Sequence, residues 1–267
     1  MNLRFLFKIR YFSLQMFMFF SLSSPAQPAV IPADVYRWDA APVSENATSQ
    51  QRIFLEGSTP AFSHLKVHAT TASAPLSLTE VELHPGHAHA DEELIIVKSG
   101  ELTVTISGKT EILEAGSIAL ISPNDEHSFA NQGDRPVAYY VMRYQASRPS
   151  ATRSAEAKQS FIKHWDGLAF KPNDKGGRRN VFDTATAQSE RFEMHVTTLN
   201  EGLMSHPPHT HKAAEILLLI EGQAEESING KWLPAGVGDI IFLQSEVPHA
   251  IRNTGKGACT YFAFQFE

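Results

Sequence analysis

The sequence predicts an all-β protein built from two tandem modules, each a barrel or sandwich of short strands, and three observations carry that prediction. A set of residues recurs 122 positions later without a gap, the apolar residues fall in short runs of strand length, and glycine-bearing turns separate those runs at regular intervals.

The repeat comes first because it sets the domain count. His84, Pro85, His87, His89, Glu93, Gly100, Gly108, Lys109, Gly116, His127, Asn131 and Gly133 return as His206, Pro207, His209, His211, Glu215, Gly222, Gly230, Lys231, Gly238, His249, Asn253 and Gly255. Upstream the halves match at a slightly larger offset, Trp38-Asp39 against Trp165-Asp166 and Thr70-Thr71 against Thr197-Thr198. The modules are therefore expected at 33–147 and 160–267, joined by a polar linker at 148–159. Trp38 and Trp165 are expected to pack where each N-terminal segment docks on a barrel.

Within the first module, Leu94 to Val97, Leu102 to Ile106, Ile118 to Ile121 and Val137 to Tyr144 are apolar or alternating runs. Ser99-Gly100, Ser107-Gly108 and the turn from Asn131 to Pro136 separate them. The second module repeats the plan with Ile216 to Ile220, Ile240 to Leu243 and Thr260 to Phe266. Its Asn229-Gly230 pair tolerates positive φ at both positions and so marks a tight hairpin. Cys259, the single cysteine, falls in the last apolar run and is expected to be a small core residue.

His87, His89 and Glu93 share parity, so on strands their side chains can converge on one side of a sheet, and curling of that sheet brings His127 to them from a later strand. Three imidazoles and a carboxylate form a mixed nitrogen and oxygen set suited to a divalent first-row metal. A single histidine is more often a satisfied core or surface residue. Here His84, His87, His89 and His127 all pair with His206, His209, His211 and His249 at one offset, eight of the twelve histidines in the chain. Both modules therefore have candidate metal ligands: His87, His89, Glu93 and His127 in the first, and His209, His211, Glu215 and His249 in the second.

These residues resemble the two motifs of the cupin superfamily. The spacing His87-x-His89-x3-Glu93-x6-Gly100, and its copy from His209 to Gly222, is similar to the first motif, whereas Gly116, Pro123, His127 and Asn131, more loosely Gly238, His249 and Asn253, are similar to the second. Val81 and Leu203 stand where the first motif opens on glycine, and Asp125 replaces a usual glycine of the second, so loop geometry departs from the family and the ligands do not. The resemblance implies two jelly-roll barrels, each a double-stranded β-helix. It implies one divalent transition metal per module, manganese, iron, copper, nickel or zinc. Ser44-Glu45-Asn46 resembles the lid of oxalate decarboxylases, but it precedes the barrel strands and is read as coincidence.

Enzymes with this ligand set include oxalate decarboxylases and oxidases, quercetinase-type dioxygenases and metal-dependent isomerases. The expectation is a metal-dependent enzyme acting on a small oxygenated or aromatic compound, of dioxygenase or oxidoreductase type. A non-redox lyase or isomerase and a non-catalytic binding protein are the alternatives. By parity the site walls are apolar, formed by Ile95, Val97 and Phe129 and by Leu217, Leu219 and Ile251. Arg143 is the candidate inward-facing cation, with Gln265 as its repeat partner. His84 and His206 are further candidates as proton carriers. Glu92, which has no repeat partner, is expected to face solvent, and the acidic run Asp91 to Glu93 to charge the first entrance. The less charged second module is the expected active one.

Apolar residues make up 42% of the chain and the formal charge is -6, without basic clusters beyond the first ten positions, so a small molecule is the expected partner and nucleic acid is not. A homo-oligomer is compatible with this composition. Arg4, Lys8 and Arg10 precede an apolar run from Tyr11 to Leu22 and small residues up to Ala26, the layout of a signal peptide over 1–26. The run is short for a bilayer span, which predicts a periplasmic or secreted protein free of the membrane after cleavage.

Overall fold

The structure is a computed structural model describing residues 28–46, 48–74, 82–148 and 153–267, so the expected signal peptide and the middle of the linker lie outside the described residues. The first half forms β1 (Asp34–Tyr36), β2 (Val43–Glu45), β3 (Ser49–Gly57), β4 (Phe62–Ala72), β5 (Glu82–His87), β6 (Glu92–Ser99), β7 (Glu101–Ile106), β8 (Lys109–Glu114), β9 (Ile118–Ile121), β10 (His127–Ala130) and β11 (Val137–Ala146). The second forms β12 (Phe161–Lys163), β13 (Lys171–Asn173), β14 (Gly176–Thr184), β15 (Phe192–Leu199), β16 (Ala214–Glu221), β17 (Gln223–Ile228), β18 (Lys231–Gly236), β19 (Ile240–Leu243), β20 (His249–Asn253) and β21 (Cys259–Phe266).

Each half is a jelly-roll barrel in which a seven-stranded sheet faces a smaller one. The sheets run β12-β9-β6-β11-β4-β3-β2 against β5-β10-β7-β8, and β1-β19-β16-β21-β15-β14-β13 against β18-β17-β20. The expected hairpins are tight, with φ of 47° and 80° at Ser107-Gly108 and 52° and 79° at Asn229-Gly230.

The first strand of each half pairs with the other half. β1 adds to β19, with Tyr36 opposite Ile240, and β12 adds to β9, with Lys163 opposite Ile118. The boundaries at 33 and 160 therefore separate the repeats along the chain but not in space. The tryptophans explain the exchange. Trp38 lies over Gly238, and Trp165 over Gly116, so closely that an added Cβ would come within 3.1 Å and 2.4 Å of the rings. Their backbone amides donate to Asp239 Oδ1 at 2.8 Å and Ser117 Oγ at 3.0 Å. The tryptophans do dock on barrels, each between its own barrel, where Trp38 meets Phe54 and Tyr140 and Trp165 meets Phe262, and a glycine of the opposite one.

This arrangement creates three apolar layers. Ile95, Val97 and Phe129 lie in the interior of the first barrel, and Leu217, Leu219 and Ile251 in that of the second. Leu94 and Ile96 instead join Ile216, Leu218 and Phe262 in a layer between the two large sheets. Phe62 and Phe266 stack there at 4.7 Å. Strands β6 and β16 bury both faces, which is why their apolar runs are continuous and do not alternate. Cys259 is fully buried in the second interior, as expected of a core residue.

Glu92 corrects the sequence expectation. It is fully buried in the layer between the barrels, where Thr186 Oγ1 donates to it at 2.7 Å and the amides of Ala187 and Gln188 at 3.1 and 3.0 Å. Its parity is that of Leu94 and Ile96, and that face meets the other barrel instead of water. Burial pushes its carboxyl above the usual range, against these hydrogen bonds.

Candidate metal centres

His87 ends β5 and stands opposite His127 of β10; His89 follows in the loop, and Glu93 projects from β6. In the second barrel His209 bridges His249 of β20, His211 follows, and Glu215 projects from β16. His87, His89 and Glu93 thus come from β5, the loop after it and β6, and not from shared parity on one strand, while His127 joins them from the later strand β10 as expected. Within each triad the nearest ligand atoms all lie within 4.8 Å of one another. Glu93 Oε2 is 2.9 Å from His89 Nε2, and Glu215 Oε2 is 3.1 Å from His211 Nε2 and 3.3 Å from His249 Nε2. All eight expected ligands are brought together.

The hydrogen bonds behind the imidazoles fit a metal. Nδ1–H donates to a backbone carbonyl in His87 (Pro85, 3.0 Å), His89 (Asp91, 3.1 Å) and His127 (Asp125, 2.9 Å). The same holds for His211 (Ala213, 2.9 Å) and His249 (Val247, 2.8 Å). In the neutral imidazole each such bond selects the tautomer whose Nε2 lone pair faces the centre, and lone pairs set beside a carboxylate suit a bound cation. Glu93 Oε1 is buried without a hydrogen-bond partner among the described residues, a further oxygen open to an ion. The donors fit a divalent first-row ion.

The electrostatics agree. Burial alone would raise both ligand carboxyls, but neighbouring groups outweigh it: His89, His127 and Arg143 hold Glu93 below its usual range, and His211 and His249 hold Glu215 at about 2. Burial, then neighbouring imidazoles, lowers His127 and His209, which favours the neutral ligand form. Hydrogen bonding to Glu215 chiefly raises His211. His206 sits beside the second triad, its ring 4.0 Å from that of His209, and burial lowers its basicity. His84 lies on β5 with its backbone opposite Phe129.

A cavity of about 350 Å³ adjoins the first centre at Glu93. Glu93, Tyr139, Val141, Arg143, Lys66, His68, Thr70 and Gln51 line it from the seven-stranded sheet, and Phe129 lines it from the smaller one. The apolar interior expected from parity is present, but strands β3 and β4 add a polar wall to it. Ser44, Glu45 and Asn46 also line the cavity, because β2 extends the sheet through pairing with β3; this tripeptide belongs to the barrel, contrary to expectation. Arg143 faces inward as expected, bound to Asp91 and with Nε 3.8 Å from Glu93 Oε2. Gln265 reaches the other centre, 3.4 Å from His211 Nε2. The run Asp91 to Glu93 is buried, so it does not charge an entrance.

Sequence reasoning missed His68, Lys66 and Gln51. His68 and His195 recur at the same offset as the Thr70 and Thr197 pairs, so that signal was present; Lys66 and Gln51 return as Glu193 and Arg178 and gave none. In the second barrel those positions pair with each other: Arg178 Nη2 donates to Glu193 Oε1 at 2.7 Å, and His195 Nδ1 lies 3.0 Å from both carboxylate oxygens. Sequence reasoning also missed Glu226, which lies inside the second barrel fully buried, where the first barrel has Val104.

The cupin domain family model matches residues 79–143 and 195–264, about half of the chain and both ligand sets. (S)-Ureidoglycine aminohydrolase of Escherichia coli is 24% identical over 176 residues, 62% of this chain, and the chain spans 62% of that relative's length. Among solved structures, AerE from Microcystis aeruginosa superposes with a TM-score of 0.65 at 16% identity, covering 85% of this chain and 97% of that one. Oxalate decarboxylase from Lactobacillus farciminis, in a formate complex, gives 0.66 at 13% identity, covering 88% and 86%. These similarities in structure speak for the fold. With one family match on each half of the chain, this protein belongs to the cupin family and is a bicupin.

Proposed function

We propose that this bicupin is a metal-dependent enzyme whose first barrel acts on a small carboxylic acid by non-redox bond cleavage, of lyase or hydrolase type. The observation that carries this reading is the cavity beside Glu93, where Lys66 and Arg143 share a wall with a metal ligand. Lys66 and Arg143 stand on this lining against Glu45 and Glu93, with Lys66 also paired to Glu56 at 3.2 Å and Arg143 to Asp91. A divalent ion held by His87, His89, Glu93 and His127 would therefore supply the positive charge that favours an anionic guest. Arg143 and Lys66 orient a carboxylate through charge-assisted hydrogen bonds. The His68 imidazole is placed to take or return a proton. When bound, the metal supplies Lewis-acid polarisation of a substrate oxygen. The likeness to a ureidoglycine aminohydrolase and to oxalate decarboxylase, both named for small acid substrates, supports this choice. The reading moves activity to the first barrel from the second, which the sequence alone favoured.

Titrating purified holoprotein with small carboxylates by calorimetry tests this reading. Arg143→Leu and Lys66→Met should each weaken binding about ten- to hundredfold, the cost of a hydrogen bond to a charged group. Unchanged affinity in both variants would remove the carboxylate subsite. The alternative is oxygen-dependent turnover of an aromatic chelator, favoured by Phe129, Tyr139 and Val141 in the lining. Metal analysis and an oxygen electrode decide between them: oxygen uptake on substrate addition sinks the non-redox reading.

The same proposal places the mature protein outside the cytoplasm, beginning near Gln27 or Pro28. N-terminal sequencing of the exported form checks this, and recovery of the intact Met1 form in the membrane contradicts it.

A further inference from the structure

Glu226 is the charged residue of the second interior that neither the ligand set nor the cavity accounts for. It lies on β17 between Ala224 and Ile228, which belong to the apolar interior, and its parity directs it to that face. In register it stands opposite Ile251, one inward-facing position from the place where Ile228 meets His249. It is fully buried, and neither carboxyl oxygen meets a hydrogen-bond partner in good geometry among the described residues. Burial first, and then the charge of Glu215, drives its carboxyl far above the usual range; the Ala250 backbone amide offsets this only in part.

The fold does not require an acid here. Val104 fills the equivalent place in the first barrel, fully buried among Leu102, Ile106 and Phe129. An unpaired buried carboxyl is unfavourable compared with valine, so its presence is a stability penalty at one barrel alone.

We propose that Glu226 is a hydrogen-bond donor of the second metal site, a carboxylic acid aimed into the interior to receive an oxygen of a small carboxylate bound there. The first barrel carries Lys66 and Arg143 on its cavity, each also paired with a carboxylate, Glu56 and Asp91; the second has Arg178, Glu193 and His195 paired with one another at the matching positions and carries Glu226 on the opposite sheet. The inference concerns the second site and stands independently of the reaction assigned to the first.

The test uses the full chain loaded with cobalt(II), with oxalate as the probe followed by the visible absorption of the metal. Glu226→Val copies the first barrel and should keep both metal equivalents and melt at higher temperature, yet weaken oxalate at one of the two sites by about tenfold or more. Glu226→Gln retains an N–H donor and should stay within about threefold of the parent. Infrared difference spectra should show a protonated carboxylic acid band that shifts when oxalate is added and is missing from both variants. Equal oxalate affinity in all three proteins overturns the proposal, as does an acid band that oxalate leaves unmoved. Loss of a metal equivalent from Glu226→Val also overturns it, since Glu226 would then be a ligand and not a donor.

Discussion

Replacing His87 and His89 together by alanine is expected to remove about one metal equivalent per chain, by the rule of one ion per ligand set, and to abolish turnover of a carboxylate substrate. The paired change His209→Ala with His211→Ala should remove the other equivalent and leave measurable activity. Metal binding depends on donors that the halves share, while substrate orientation depends on groups that differ, such as Arg143 against Gln265 and Lys66 against Glu193. Elemental analysis with circular dichroism separates loss of metal from loss of fold. Equal loss of activity from both pairs would show two working sites, or sites that act together, and the asymmetry would be wrong. Glu93→Gln with Glu215→Gln should weaken retention at both centres while leaving the barrels folded, because an amide is a poorer ligand than a carboxylate.

The second large effect is on folding. Trp38→Ala and Trp165→Ala should each cost about 2–3 kcal/mol, somewhat less than a fully buried tryptophan because both rings are half-buried. Each ring covers a glycine of the opposite barrel, and each also carries a cation over its face: Lys98 at 4.8 Å for Trp38, Arg179 at 4.8 Å for Trp165. The exchanged strands and the shared apolar layer tie the barrels into one unit, so urea should unfold the chain in a single transition. A fragment cut to residues 33–147 lacks β12 and Trp165, leaves the edge of β9 open, and should be unstable or aggregate. Two separated transitions, or a stable isolated fragment, would contradict the interlock.

Several features were legible from the residues alone. The two converging sets of three histidines and a glutamate could be read because duplication tests each position twice: a histidine that recurs with its neighbours at a constant offset is hard to attribute to chance. The hairpins at Ser107-Gly108 and Asn229-Gly230 were legible because positive φ is a local demand that few residues meet. The barrel fold followed from these together with the cupin motifs, whose glycines and histidines fall at the spacing of the strands.

Parity places alternate residues on opposite faces, but it cannot say what each face meets. Glu92 therefore read as a solvent residue until the second barrel was found against it, with Thr186 supplying its hydrogen bond. For the same reason the exchange of β1 and β12, the polar wall that β3 and β4 bring to Glu93, and the burial of Glu226 depend on packing between segments far apart in the chain. Local sequence determined the candidate ligands, the turns and the strands; tertiary packing decided which surfaces are buried, because burial is a property of what lies opposite a residue and not of the residue itself.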